Sequence, residues 1–317
     1  MDFNRDGTIP KAESLPEFVT QPGERDRVPK GPFSVGSLLL GRYKILSELG
    51  TGGMGAVYKC FDETAGVEVA MKVIPPELAR FSLEMEGVRE NFRLVKKLVH
   101  ENIAVHDVLQ KDSTTGEFFL IMEYVDGVNL REWLKQKRQN AETVSLDTTV
   151  SILSQVADAI DFAHRKKVVH RDIKPENIMV AYDGGVKILD FGLAAQIHTA
   201  MTRVSQEYQN RQTGHTSGTI YYMSPEQWRG RQQNAKTDQY ALAVVAYEML
   251  AGHLPFDVSP GMTTDDLKKI VLEETAAAIS NIPRSAQNAI ARAMNKEPSK
   301  RFANGTKFVS AVAWKNM

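Results

Sequence analysis

The sequence contains very little cysteine and no excess charge of either sign. Cys60 is the single cysteine in 317 residues, so no disulfide can form within the chain, and we expect a reducing, cytoplasmic location. The 39 basic and 39 acidic side chains cancel. A balanced chain has no general field for gripping nucleic acid or an anionic membrane. We therefore expect neither of these as a partner.

The sequence also lacks a hydrophobic run long enough to cross a membrane. Its longest apolar stretch, YALAVVAYEMLA from Tyr240 to Ala251, is well short of the roughly 20 residues that a spanning helix needs. This stretch fits a buried core helix instead. The N-terminus is polar and charged and shows no signal-peptide pattern, so we predict no membrane segment in this chain.

Helix-breaking residues are concentrated ahead of residue 41. Residues 14–40 contain four prolines and three glycines, a composition that excludes a long helix and predicts an extended linker. This linker separates a short polar segment, residues 1–13, from the rest of the chain. No internal repeat or low-complexity tract is visible.

Beyond the linker the pattern is first strand-like and then helical. Residues 41–125 hold short runs rich in β-branched and aromatic residues, such as VEVAMKVI and FFLIMEYV. A helical stretch at 84–99 interrupts them, with apolar residues every three or four positions. Residues 126–317 are mostly helical apart from a hairpin predicted around 183–185. We predict an α+β bilobal fold, with a small antiparallel β lobe carrying one main helix and a larger, mostly helical lobe.

The stretch LGTGGMGAVYK places Gly50, Gly52 and Gly55 in G-x-G-x-x-G spacing. A dinucleotide-binding loop of this spacing is followed by a helix, whereas the residues that follow here are strand-like. The sequence has no G-K-[ST], which excludes a Walker-type loop. A glycine loop between two strands instead predicts a flap whose backbone amides can close over phosphates.

Three later stretches place polar residues among apolar ones. VAMK supplies Lys72, which is costly to bury unless an anion is near. HRDIKPEN supplies Asp172, Lys174 and Asn177, and KILDFGLA supplies Asp190. Two carboxylates and one amide on neighbouring turns are hard oxygen ligands of the kind that Mg²⁺ prefers. These stretches predict a site for magnesium and phosphate.

Together, GTGGMGAVYK, VAMK, HRDIKPEN, DFG and GTIYYMSPEQ resemble the signatures of eukaryotic-like protein kinases, specifically the bacterial Ser/Thr branch. The resemblance covers about residues 41–317. It implies ATP-dependent phosphorylation of Ser/Thr hydroxyls on protein substrates in bacterial signalling, with ATP and Mg²⁺ or Mn²⁺ as cofactors. KPEN and Thr219 are similar to the Ser/Thr rather than the Tyr subclass, which makes Thr219 a candidate catalytic residue.

The resemblance also implies roles for individual residues. Asp172 would accept or orient the proton of the attacking hydroxyl, and Lys174 would neutralise charge on the γ-phosphoryl group. Asn177 and Asp190 would hold the metal ions. Lys72 would grip the α- and β-phosphates. The remaining nucleotide contacts, from the flap, the adenine pocket and the connection between the lobes, would be Gly50, Thr51, Gly52, Gly53, Gly55, Val57, Ala70, Met122, Glu123, Val125 and Met179.

Two further pairings implied by the resemblance are architectural. Asp238 should brace the backbone of His170 and Arg171 from below. Glu226 should pair with Arg301 in the stretch SKRF. These contacts would hold the catalytic loop in place without touching the nucleotide.

Two features concern substrates. Glu176 could attract a basic residue near the acceptor, although a solvated side chain is the favoured interpretation. The segment between DFG and SPE contains several Ser and Thr hydroxyls. We predict autophosphorylation there, with Thr213 and Thr216 as the best candidates and Arg171 as a partner for the phosphate.

One position departs from the kinase pattern. Active kinases pair the strand lysine with a glutamate on the small-lobe helix, but this chain has Asn91 at that position. Asn91 could itself bond Lys72 weakly. The helix could instead shift so that Glu90 or Glu86 substitutes. In the third interpretation Lys72 pairs with Asp190 and the chain is inactive as it stands. The alternative function is therefore a pseudokinase, or a nucleotide-binding scaffold with weak or no transfer.

The N-terminal stretch DFNRDGTIPKAE resembles an EF-hand calcium loop. Gly7 occupies the sixth loop position, where a sharp turn is required. The candidate calcium ligands, at loop positions 1, 3, 5, 7 and 12, are Asp2, Asn4, Asp6, the Thr8 carbonyl and Glu13. An EF-hand needs a helix on both sides of its loop, but only Met1 precedes this one and Pro16 shortens the helix after it. We expect an EF-hand-derived segment without tight calcium binding.

Overall fold

The structure, a computed structural model, describes residues 31–52, 55–79, 81–191, 219–256 and 262–314. Several predicted features lie outside these residues. They are the candidate calcium ligands Asp2, Asn4, Asp6, Thr8 and Glu13, together with Gly53 of the flap and the candidate phosphorylation sites Thr213 and Thr216.

The described residues form short strands in the first part of the chain and mainly helices in the second. The strands are β1 Leu38–Leu39, β2 Tyr43–Gly52, β3 Gly55–Asp62, β4 Val67–Val73, β5 His106–Lys111, β6 Phe118–Glu123, β7 Gly127–Asn129, β8 Ile178–Ala181 and β9 Val186–Ile188. The helices are α1 Pro76–Ala79, α2 Ser82–Val95, α3 Leu130–Gln139, α4 Leu146–Arg165, α5 Pro225–Trp228, α6 Ala235–Ala251, α7 Thr264–Glu273, α8 Arg284–Ala293 and α9 Gly305–Ala313.

In the small lobe, six of the described strands form an antiparallel sheet in the order β1-β2-β3-β4-β6-β5. Side chains alternate across the sheet, as the strand period of two requires. One face buries Tyr43, Tyr58 and Phe119. The opposite face packs against α2 through Met85 and Val88. The sheet therefore has two apolar faces, one of which fixes the main helix of this lobe.

The elements at the edges of the small lobe differ slightly from the sequence prediction. Strand β1 lies within the range predicted as linker, because Leu38 and Leu39 pair with the start of β2. Helix α2 ends at Val95 rather than near residue 99. The amide of Leu98 donates to the carbonyl of Val95 over 2.8 Å, so the chain leaves the helix through a tight turn while Leu98 stays buried.

The large lobe is built around α6. This helix is buried along almost its whole length, so the predicted core helix is confirmed. It ends at Gly252, whose φ of 76° is the left-handed conformation that favours glycine at a helix C-terminus. Helix α4 packs against it and begins at Ser145, whose hydroxyl accepts the amide of Thr148. Among the described residues, no helix is both long and apolar enough to span a membrane.

The lobes meet at a second, small sheet. Strands β7, β8 and β9 form it, and the amide of Ala104 in the small lobe donates to the carbonyl of Ile188 on β9 over 3.0 Å. The hairpin between β8 and β9 turns at Asp183, whose carboxylate accepts the amide of Gly185. Strand β9 leads directly to Asp190, which pairs with Lys72 on β4.

Candidate active site

The glycine-rich stretch forms a hairpin between β2 and β3. The pairs nearest its turn are Gly50–Val57, Thr51–Ala56 and Gly52–Gly55. Gly55 has a φ of 104°, and a Cβ built there would lie 2.0 Å from the carbonyl oxygen of Val73. Only glycine fits, since a side chain would clash with backbone. The hairpin therefore has the strand–loop–strand arrangement predicted for a flap.

Lys72 and Asp190 form an ion pair across the cleft. Lys72 lies on β4 and is buried, and its Nζ is 2.6 Å from Oδ2 of Asp190, just after β9. Burial raises the pKa of Asp190, but the charge of Lys72 and its hydrogen bond outweigh burial and hold that pKa below its ordinary value. The other oxygen, Oδ1, is buried, and no group in the described part of the chain donates a hydrogen bond to it. The carboxylate is thus ionised and half satisfied.

Helix α2 carries the residues considered as partners of Lys72. Among the described residues, none pairs with the buried Oδ1 of Asn91. Glu86 binds Arg89 and Arg93 on the helix surface, at 3.3 and 3.0 Å, and Glu90 is exposed. Of the three arrangements considered for Lys72, the structure has the pair with Asp190. A nucleotide phosphate that binds Lys72 therefore meets an ammonium group that is already paired with Asp190.

The catalytic loop gathers three buried polar side chains. Nδ2 of Asn177 donates to the carbonyl of Asp172 over 2.8 Å and to its Oδ2 over 3.0 Å. Nζ of Lys174 lies 2.9 Å from the same Oδ2. An amide and an ammonium group therefore hold the Asp172 carboxylate in one orientation, as a group that receives or orients a proton requires.

Asp238 braces this loop from α6. Its Oδ1 accepts the amide of Arg171 over 2.7 Å, and its Oδ2 accepts the amide of His170 over 2.9 Å. His164 Nε2 lies 2.6 Å from the same Oδ2. Burial raises the pKa of Asp238, but these partners outweigh burial and lower it. This contact is the one predicted, and it holds Arg171 in a left-handed conformation with φ of 69°.

His170 connects the catalytic loop to the strand that carries Asp190. Its Nδ1 accepts the amide of Asp172 over 3.2 Å. Because that nitrogen accepts, Nε2 carries the proton and donates to the carbonyl of Leu189 over 2.8 Å. The ring also packs edge-on against Phe191, with centroids 4.7 Å apart. The positions of Asp172 and Asp190 are thereby linked.

The predicted adenine-binding residues lie on strands of both lobes. Val57, Ala70 and Met122 share one apolar cluster in the small lobe. Met179 lies on β8 in the large lobe, and Val125 is buried in the connection between the lobes. Apolar walls of this kind suit a flat aromatic base.

Glu123 has its side chain engaged outside this cluster. Its carboxylate lies 3.0 Å from Nζ of Lys187 and accepts the amide of Val105 over 3.1 Å. Its own amide donates to the Val105 carbonyl over 2.8 Å. The contribution of Glu123 to a base would therefore come from its carbonyl.

The donor set fits Mg²⁺ bound together with phosphate. Asp190 offers a buried, unpaired carboxylate oxygen, and Asn177 supplies an amide in the neighbouring loop. Mg²⁺ is commonly held by one or two such groups and completed by water and phosphate oxygens. Among the described residues, no group of three His, Cys, Asp or Glu side chains could hold a metal alone.

A family model for the protein kinase domain matches residues 43–312. The chain belongs to the protein kinase family. The serine/threonine-protein kinase PrkC of Bacillus subtilis is 33% identical over 271 residues, which cover 84% of this chain and 39% of PrkC. PknA of Mycobacterium tuberculosis is 34% identical, covering 88% of this chain and 62% of PknA. The kinase therefore spans less than two thirds of these curated relatives.

Solved structures show the same fold. The PknI kinase domain of Mycobacterium tuberculosis matches with a TM-score of 0.65 at 23% identity, covering 89% of this chain and 98% of that chain. A double mutant of the same domain matches with a TM-score of 0.67 at 21% identity. The predicted bilobal α+β kinase fold is confirmed.

The Glu226–Arg301 pair lies beneath the kinase cleft, as predicted. Arg301 donates to both carboxylate oxygens of Glu226 over 2.8 Å, and Thr237 donates to one of them over 3.1 Å. Burial raises the pKa of Glu226, but Arg301 outweighs it and lowers the pKa. Thr219 begins a 3-10 helix, Thr219–Tyr222, and its side chain lies outside the described part of the chain.

Glu176, predicted to be solvated, has a side chain that is 36% exposed, but it also pairs with Arg131, a contact that the sequence did not indicate. Nε of Arg131 donates to Oε1 of Glu176 over 2.9 Å. The same guanidinium group donates to Glu248 on α6 and to the hydroxyl of Tyr222. Burial, reinforced by Glu248, raises the pKa of Tyr222, so its protonated hydroxyl donates to Glu248 over 2.5 Å. These partners lie 45 to 117 residues from Arg131, and no local pattern indicates them.

Proposed function

We propose that this kinase domain transfers the γ-phosphoryl group of ATP to Ser/Thr hydroxyls of protein substrates. The observation that carries the proposal is the orientation of the Asp172 carboxylate by Asn177 and Lys174, within a chain of the protein kinase family. The names of the curated relatives PrkC and PknA, both serine/threonine-protein kinases, support the choice of acceptor.

We assign the chemical roles as follows. Asp172 accepts a hydrogen bond from the acceptor hydroxyl and takes its proton as the oxygen bonds to the γ-phosphorus. The bond from that phosphorus to the bridging oxygen breaks, and ADP leaves. Lys174 stabilises negative charge on the group in transfer. Little covalent work falls to the protein, since positioning and charge neutralisation carry phosphoryl transfer.

Lys72 is assigned to the α- and β-phosphates, and Asn177 and Asp190 to Mg²⁺. The bound metal neutralises phosphate charge. The unpaired Oδ1 of Asp190 supports this assignment because it gives the carboxylate a free ligand site. On binding, Lys72 exchanges one oxygen anion, that of Asp190, for another, so its charge stays compensated.

Incubation with labelled ATP, Mg²⁺ and a generic basic protein tests the proposal. We expect phosphate transfer that Asp172→Asn reduces about 100-fold to 10,000-fold, the range for loss of a general acid or base. Transfer no greater than that of the variant would contradict it. Nucleotide binding without transfer would instead support the scaffold function that the Asn91 position raises.

We also propose autophosphorylation in residues 193–217, with Thr213 and Thr216 as the sites. The exposed Arg171 next to Asp172 supports this proposal, because a guanidinium group pairs strongly with phosphate. Mass spectrometry of the protein after incubation with Mg²⁺ and ATP should detect phosphate on these threonines. Exclusively unmodified 193–217 peptides from active protein would contradict the proposal.

A finer proposal concerns Ca²⁺ at residues 1–13. The spacing of Asp2, Asn4, Asp6 and Glu13 supports an EF-hand-derived loop. Because Pro16 cuts short the helix that should follow, we expect only weak binding by this chain. Titration calorimetry should show no micromolar site, and a micromolar calcium affinity would overturn this expectation.

A further inference from the structure

The contacts of Arg131 define a small acidic site beside the catalytic loop. We call Glu176, Glu248 and the hydroxyl of Tyr222 the acidic cradle. Glu176 lies in the same 3-10 turn as Asn177, next to it in sequence. Glu248 comes from α6, and Tyr222 ends the 3-10 helix that leads to α5. The cradle therefore adjoins the place where an acceptor hydroxyl must lie.

Arg131 fills the cradle from within the chain. It uses three different nitrogens, one for each member: Nε for Glu176, Nη1 for Glu248 and Nη2 for Tyr222. An arginine fork is suited to such planar, multidentate contacts. Arg138 lies about two turns further along α3, and its Nη2 is 3.6 Å from Oε1 of Glu248. Two guanidinium groups thus balance the two carboxylates.

The cradle is open to solvent on the side of Arg131 and Glu176, whereas Glu248 and Tyr222 form its buried end. The side chains of Arg131 and Glu176 are 30% and 36% exposed. In the Glu226–Arg301 pair, by contrast, the arginine side chain is fully buried, as a purely structural pair requires. Without Arg131, two carboxylates and a hydroxyl at the edge of the cleft would form a site for a substrate arginine or lysine.

We propose that Arg131 is a specificity-determining residue, which occupies the acidic cradle and prevents selection of a basic residue near the acceptor. The inference rests on the proposed function of the same site. The wild-type domain therefore does not discriminate between basic and neutral residues around the acceptor hydroxyl. Replacement of Arg131 by a neutral residue converts the domain into one that favours basic substrates.

The test uses a series of neutral peptides in which a single arginine is placed, in turn, at each position on either side of the serine. Each arginine peptide is compared with its glutamine counterpart by the ratio of kcat/KM. For the wild type we expect ratios near 1 at every position. For Arg131→Gln we expect a rise of about tenfold at one position, mainly through KM, because the two freed carboxylates then bind the peptide. Arg131→Gln combined with Glu176→Gln should lose most of that rise.

Arg138→Gln is the matched control, since it removes an arginine from the same helix but leaves the cradle filled. It should change no ratio by more than about twofold. If Arg131→Gln fails to fold because Glu248 is left buried and unpaired, Arg131→Gln with Glu248→Gln removes that charge and keeps Glu176. The inference is overturned if the folded variants that lack Arg131 and keep Glu176 show a rise below about threefold. It is also overturned if the wild type already favours arginine by more than about threefold.

Binding measurements separate this inference from the proposed function. The same peptides with alanine in place of the serine are titrated calorimetrically into each variant with ADP and Mg²⁺. The arginine-to-glutamine ratio of affinities should follow the same pattern whether or not the wild type transfers phosphate. Absence of transfer with this pattern contradicts only the proposed function, whereas transfer without the pattern contradicts only the role of Arg131.

Discussion

The two walls of the cleft are built differently. On the large-lobe wall, Asp172, His170 and Asp238 each have hydrogen-bond partners among the described residues. On the small-lobe wall, Asn91 and His106 each have a buried polar atom for which the described residues provide no partner. The residues around Asp172 are thus joined by several hydrogen bonds, whereas Lys72 is paired across the cleft with Asp190.

This difference shows where the domain is fixed and where it must change. A buried polar group with several partners keeps one orientation, whereas an unsatisfied polar atom is costly until a ligand meets it. The orientation of Asp172 is therefore set before substrates arrive. On the small-lobe wall Lys72 is paired with Asp190, a contact that the proposed nucleotide binding exchanges for one with phosphate. Four substitutions test this contrast.

The largest effect on stability is expected at Asp238, which supports the catalytic loop on the large-lobe wall. Asp238→Ala leaves His164 and the amides of His170 and Arg171 without their acceptor. Breaking such a buried contact costs about 3–5 kcal/mol. Urea unfolding should show this loss in the free energy of unfolding, and activity should fall with it.

Asp158→Ala is the matched control for that experiment. Asp158 is 59% exposed and pairs only with His100 in the described part of the chain, at 3.2 Å. An exposed pair contributes less than about 1 kcal/mol. Equal losses of the free energy of unfolding in the two variants would show that Asp238 contributes no more to stability than an exposed carboxylate does.

His106→Leu tests whether the small-lobe wall carries a cost. His106 donates from Nδ1 to the carbonyl of Ala104 over 3.1 Å, but its buried Nε2 has no partner in the described part of the chain. His106→Leu removes the cost of that nitrogen and also leaves the buried Ala104 carbonyl without its donor, so the two effects offset and the free energy of unfolding at pH 7.5 should change by less than about 1 kcal/mol. Thermal and urea unfolding measure the change.

The same variant should alter the pH dependence of stability. Burial lowers the pKa of His106 in the folded state, so the unfolded state binds more protons once the pH falls below the ordinary histidine value of about 6.5. The wild type should therefore lose stability from pH 7 to 5.5 more steeply than His106→Leu. Parallel profiles would show that His106 does not titrate on unfolding.

The contacts of the large lobe could be predicted from the sequence better than those of the small-lobe wall. Asp238 and the Glu226–Arg301 pair were expected from motif positions, and the structure has these contacts. They are predictable because each motif residue has a defined place in the fold. At Asn91 the sequence left three arrangements open, since a missing charge does not specify which partner replaces it.

Two other features could not be predicted for a related reason. Arg131 contacts residues on three separate elements. A local sequence pattern does not show which residues that are far apart in the sequence come together in the fold. His106 belongs to none of the motifs that the sequence contains. Its buried position results from its place at the start of β5, opposite Met122 on β6, which depends on sheet register rather than on neighbouring sequence.

Asn91→Glu should give Lys72 a partner on its own lobe, so that the position of Lys72 no longer depends on Asp190. A carboxylate on α2 would compete with Asp190 for Lys72 and free both oxygens of Asp190 for the metal. A charged hydrogen bond exceeds a neutral one by about 1 kcal/mol, so we expect kcat/KM for ATP to rise about fivefold. Asn91→Gln has the same length without the charge and should show no such gain. Equal effects of the two variants would show that side-chain length, not charge, limits this wall.

The smallest effect is expected at Glu86, on the same helix. If α2 rotated during activity so that Glu86 met Lys72, Glu86→Gln would reduce transfer as strongly as loss of the lysine's partner. In the structure Glu86 binds Arg89 and Arg93 on the surface, and contacts of that kind contribute little. We expect kcat/KM to change by less than about twofold. A larger loss in a steady-state assay would mean that helix α2 supplies its own carboxylate, and that the difference between the two walls exists only before the nucleotide binds.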